Sequence, residues 1–120
     1  MKRLALIAVL SLLPGIVIAG LFYDGNKLYS GLGNCQEVQG MRISGQAVGK
    51  AFFCERAIGY VMGVSDVLNE TIVCQPAGLN SDQLRDVMHL WLKDNPVKRH
   101  ESAPILIQEA LLEVWPCPAE

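Results

Sequence analysis

The stretch Gln46–Asn69, QAVGKAFFCERAIGYVMGVSDVLN, decides how the rest of the chain is read. Val48, Ala51, Phe52, Ile58, Val61, Met62, Ser65 and Leu68 recur at three- and four-residue steps, the period of an amphipathic helix. This spacing predicts a long central helix over residues 46–69. Gly59 and Gly63 lie four apart on one face of it, and each costs about 1 kcal/mol of helix propensity relative to alanine. The expected compensation is close approach of a neighbouring helix to the bare backbone. A membrane-dimer motif needs an uninterrupted apolar span, which Glu55, Arg56 and Asp66 exclude.

Downstream, the β-branched Thr71, Ile72 and Val73 lead into Cys74 as a short extended link, and Pro76 and Gly78 mark a turn. Asn80 with Gln83 three residues later has the form of a capping box, and Leu84, Val87, Met88 and Trp91 make one apolar stripe. A helix is therefore expected over Ser81–Asp94. Asn95-Pro96 stops it, because proline disfavours the helical conformation of the residue before it. A loop over Asn95–Glu101 follows and gathers Lys98, Arg99 and His100 just after Lys93. Placed beyond a helix C-terminus, those cations are also well suited to a solvated turn. A last helix is expected from about Ser102, with Pro104 in its first turn and Ile107, Ala110, Leu111, Val114 and Trp115 on one face, ending at Pro116. Upstream, Tyr23, Leu28, Tyr29 and Leu32 allow a helix over Tyr23–Cys35, weakened by Gly25, Gly31 and Gly33, and residues 36–44 read as a loop. The fold class is all-α: a small domain of four helices.

The N-terminus carries Lys2 and Arg3 and then an apolar run, Leu4–Ala19, of 16 residues. That is the order of a secretory signal peptide, and the run is shorter than the roughly 18–20 residues of a spanning helix. Residues 1–19 are the expected signal peptide, cleaved between Ala19 and Gly20. Residues 20–120 then form one domain, with no membrane span left after cleavage. Without Lys2 and Arg3 the chain keeps eight basic against twelve acidic residues, a surface that attracts neither nucleic acid nor anionic lipid.

Cys35, Cys54, Cys74 and Cys117 make an even set, which in an exported domain reads as a disulfide framework. Three pairings are open. Cys35–Cys54 with Cys74–Cys117 is preferred, because each bridge would tie one end of a predicted helix to its neighbour. Each would stabilise the fold by roughly 3–4 kcal/mol if it acts on chain entropy. The cysteines are too widely spaced for zinc, and His89 and His100 read as ordinary helix and loop residues, so no metal or other cofactor is implied. No nucleophile stands with a base, and Asp82/Asp86 and Glu109/Glu113 have the i, i+4 spacing of solvated helix faces. An enzyme is not expected.

Three segments taken together carry a resemblance: CERAIGYVMGVSD at Cys54–Asp66, CQPAGLNSDQLRDVMHLWLKDNP from Cys74, and RHESAPILIQEALLEVWPC ending at Cys117. The chain resembles the Rap/Tai family of immunity proteins over about Leu28–Pro118. The resemblance implies a periplasmic helical domain that binds and inhibits a peptidoglycan amidase or endopeptidase toxin of type VI secretion. It protects the producing cell, performs no reaction itself, and often acts as a homodimer. In similar proteins a protruding loop enters the toxin's cleft. The matching segment here is Asp94–Ser102, with Asp94, Asn95, Lys98, Arg99, His100, Glu101 and Ser102 as its contact residues. Arg99 and His100 have a second reading, in which they fix that loop against the core. A rival function is a periplasmic acid-stress chaperone of similar topology, whose carboxylates would protonate at low pH and release apolar surface for many clients.

Overall fold

The protein is described by a computed structural model that covers residues 22–119. The expected signal peptide, residues 1–19, lies outside the described residues. Four α-helices follow one another: α1 (Gly25–Val38), α2 (Gly45–Leu68), α3 (Ser81–Asp94) and α4 (Ala103–Val114), with a single 3-10 turn, Pro96–Lys98, between α3 and α4. Among the described residues the only extended pairings are isolated bridges, Asp24 with Ser102, Asn69 with Val73 and Val73 with Pro116. The all-α expectation holds.

Polar residues at the helix starts explain where three of the helices begin. Asp24 accepts from the Lys27 amide at 2.8 Å and Ser44 from the Ala47 amide at 3.1 Å, each satisfying one of the orphan donors of a first turn. The capping box at α3 is complete: Asn80 Oδ1 accepts from the Gln83 amide at 2.9 Å, and Gln83 Oε1 from the Asn80 amide at 3.1 Å. Helix α1 runs one turn further than its sequence suggests, to Val38. That turn is held from outside, by a Glu37–Lys50 ion pair to α2 and by Gln36 Nε2, 3.4 Å from His89 Nδ1 on α3.

The core is built from Leu28 and Leu32 of α1, Ala57, Ile58 and Val61 of α2, Met88 and Leu92 of α3, and Leu106, Ile107 and Leu111 of α4. Ser65 is buried with them, and the Gln75 side chain donates to its hydroxyl. Three residues assigned to the α2 core stripe are instead on its outer face: Val48, Phe52 and Met62 are exposed. Helix α2 is apolar on both sides, so its three- and four-residue steps are satisfied by either face and the period alone does not choose between them. On α4, Val114 is likewise largely exposed.

The expectation for Gly59 and Gly63 is overturned by the same rotation. A Cβ at either position would meet nothing within 4 Å. Close approach falls elsewhere. A Cβ on Gly31 would lie 2.6 Å from Ala57 Cβ, where α1 crosses α2, and one on Gly25 would lie 2.5 Å from Leu106 Cδ1 and 2.7 Å from the Arg99 carbonyl oxygen. Two disulfides lock the arrangement in the preferred pairing. Cys35–Cys54 joins α1 to α2, with Cα atoms 4.8 Å apart. Cys74–Cys117 joins the link after α2 to the chain end, with Cα atoms 4.7 Å apart.

Candidate functional site

The segment between α3 and α4 is a braced crest. The Asn95 side-chain amide donates to the Trp91 carbonyl at 2.8 Å and closes the end of α3. The Lys98 amide donates back to the Asn95 carbonyl at 3.1 Å and the Glu101 amide to the Lys98 carbonyl at 2.9 Å, folding the chain into the 3-10 turn. At its far end the Gly25 amide donates to the Glu101 carbonyl at 3.0 Å and the Ala103 amide to the Tyr23 carbonyl at 3.1 Å. The start of α1 therefore holds the base of the crest, which is why a side chain at Gly25 has no room.

Arg99 is the main brace. Its Nε donates to the Leu92 carbonyl at 2.6 Å and its terminal NH2 to the Lys93 carbonyl at 3.1 Å, which satisfies orphan acceptors at the end of α3. The guanidinium carbon lies 3.8 Å from the centre of the Tyr29 ring, and Tyr29 stacks on His89 with ring centres 4.9 Å apart. Burial pushes the His89 pKa down, and the nearby Lys93, Arg99 and Arg85 push the same way against an opposing contribution from Asp86. Lys98 is also engaged: its ammonium is 2.5 Å from Glu109 Oε2 on α4 and 5.8 Å from the centre of the Trp91 ring, while Trp91 Nε1 donates to Glu113 at 2.8 Å. The Glu109 hydrogen bond raises the Lys98 pKa.

The seven residues expected to make contact are thereby divided. Asp94 and His100 are exposed and point outward from the braced base, whereas Asn95, Lys98, Arg99, Glu101 and Ser102 are partly covered. Arg99 ties the loop to the end of α3. The most exposed apolar side chain of the crest is Val97, at 80 % exposure, beside an exposed Pro96. Neither was marked from sequence as a contact residue, although a valine between proline and lysine outside any helical stripe has no core to serve. The Arg99–Tyr29–His89 stack was also not foreseen, since its members are tens of residues apart and carry no local pattern.

Among the described residues no group of three or more His, Cys, Asp and Glu side chains could hold a metal, and all four cysteines are oxidised. No described helix is long and apolar enough to cross a membrane. A family model described as Rap1a immunity proteins matches residues 24–117. The chain belongs to that family. The match begins at Asp24, the cap of α1, and ends at Cys117, so it spans the whole helical unit and both disulfides. No curated protein matches the chain. Membership in an immunity family implies that the braced scaffold binds a cognate toxin protein, and together with two disulfides it points to an exported protein.

Proposed function

We propose that this chain is a periplasmic immunity protein that binds and inhibits a peptidoglycan amidase or endopeptidase delivered by type VI secretion, and so protects the producing cell. Residues 1–19 serve as the signal peptide, and the mature inhibitor begins at Gly20. The observation that carries the reading is the family match over residues 24–117, in a chain whose crest between α3 and α4 is held at both ends and tipped by exposed residues.

A segment already fixed in the free protein loses little conformational entropy on docking, which favours tight binding. The crest enters the toxin's cleft through Val97 and His100, with Asp94 at its edge, while Arg99 and Lys98 hold it in shape. The inhibitor works by occupying the cleft and needs no reacting group of its own.

The test pairs capture with activity. Oxidised residues 20–120 are mixed at neutral pH with a wall hydrolase exported by the same cells, and affinity and cell-wall cleavage are measured. Val97→Asp with His100→Glu is expected to weaken binding at least tenfold without lowering thermal stability, since both side chains are exposed. Full affinity in that variant would remove the crest from the interface. Capture of many unrelated clients, or capture only at acidic pH, would transfer the function to the chaperone reading. Mass measurement of the exported protein checks the N-terminus at Gly20.

A further inference from the structure

We infer that the groove between α1 and the first half of α2 is a second recognition site, which takes an extended acidic segment of a protein partner. It lies apart from the crest and stands whether or not the crest binds a toxin. The groove encloses about 540 Å³, within the usual range of ligand clefts. Its apolar floor and wall are Tyr23, Phe53 and the bare backbone of Gly31, and its charged lining is Lys27, Lys50 and Arg56. No carboxylate of the described residues lines it. In a chain with more acidic than basic residues, three cations around one apolar trough are a local reversal of sign.

Lys27 and Arg56 carry no ion pair among the described residues. Lys50 is paired with Glu37 beyond the groove's end, and Arg56 lies 5.6 Å over the Tyr23 ring, an arrangement that leaves its N–H edge for other acceptors. Phe53 is half exposed, at 50 %, on the wall opposite Lys27. The Cys35–Cys54 bridge lies beside the trough and ties its two walls together, so the groove exists before any ligand arrives.

Its dimensions select an extended peptide over a compact anion. Along α1 the groove runs from Lys27 to Asn34, about 10 Å at the helical rise per residue, and continues past the helix start to Tyr23. An extended chain covers the helical part of that distance in about three residues. Arg56 and Lys50 are six residues apart on α2, about 9 Å. Carboxylates two residues apart on one face of an extended strand, about 7 Å, approach that separation, and the apolar side chain between them turns to the other face, toward Phe53 and Gly31.

The experiment uses oxidised, isotope-labelled residues 20–120 and follows backbone amide shifts at neutral pH. The probes are blocked pentapeptides with two glutamates two positions apart, separated by Leu, Phe or Tyr, and the same peptides with glutamine for glutamate. The expected result is shifts confined to residues 27–34 and 46–56, with glutamine peptides binding at least tenfold more weakly. Lys27→Glu with Arg56→Glu, both at exposed positions, is expected to reduce the glutamate peptides to the glutamine level. The inference is overturned if no glutamate peptide shifts these amides, if glutamine peptides bind equally, or if the shifts fall on another face. It is also overturned if phosphate or succinate alone produces the same shifts with the same affinity, which would make the groove a simple anion trap.

Discussion

Arg99 shows how one side chain can settle both a helix end and a loop. Its two hydrogen bonds go to carbonyls that α3 leaves without partners, and its flat face covers Tyr29, which in turn covers His89. The stack sets a pH dependence whose sign follows from its surroundings. Partly buried and close to Lys93, Arg99 and Arg85, with only Asp86 opposing them and the Tyr29 ring and Gln36 amide against it, His89 has its pKa lowered below the usual histidine value. The unfolded chain therefore binds this proton more readily than the folded one. The stability that neutral His89 contributes is complete above about pH 6.5 and is lost as pH falls through the lower folded pKa. His89→Gln keeps a polar group near Gln36 and cannot charge. Urea unfolding across pH 7 to 5 should show wild type losing more stability than His89→Gln, and parallel curves would disprove the linkage. The carboxylates titrate in both proteins, so only the difference reports on His89. A chaperone that opens in acid would need a much larger response than one partly buried histidine supplies.

At the scale of elements, how much was legible depends on what kind of signal each helix carries. Helix α3 was readable to the residue, because its capping box and Asn95-Pro96 are local chemistry that acts wherever it occurs. The disulfide pairing was preferred because each bridge would tie a helix to its neighbour, and the observed bridges are that pair. The inner face of α2 was not readable, since Val48, Phe52, Met62 and Val67 are as apolar as the residues that α2 buries. The glycines test this directly. Gly31→Ala should cost about 1–3 kcal/mol, because its Cβ would lie 2.6 Å from Ala57 and α1 would have to move off α2. Gly59→Ala and Gly63→Ala should each gain about 0.5–1 kcal/mol, because they add helix propensity with nothing in the way. Thermal unfolding of the three variants at low protein concentration decides it. Destabilisation at Gly59 or Gly63 would mean that the outer face of α2 is already covered.

That outer face is the main unsolved feature of the whole molecule. The candidate crest was located by resemblance and its tip only by structure, since exposure of Val97 depends on where α1, α3 and α4 meet. The α2 face poses a different problem. Val67 is 75 % exposed, and Ile105 of α4 extends the apolar surface across a shallow trough floored by Val64 and Leu68; Met62, also exposed, lies about a turn and a half back along α2. Gly59 and Gly63 leave that surface flat enough for another helix to lie against it. A second copy of the chain would bring the same helix face to this one about a two-fold axis. A homodimer formed through this face would bury it and leave the crests free, one per copy, for two toxin molecules. Sedimentation at about 100 µM should show a dimer, since an interface of roughly 800 Å² per partner commonly holds at micromolar concentration or below. Met62→Glu with Val67→Glu should shift it to monomer while leaving the helical content and both disulfides intact, because two carboxylates on each copy would be desolvated together. A wild-type protein that remains monomeric at that concentration would leave the α2 face to the toxin. In that case the same double substitution should weaken toxin binding without changing the oligomeric state.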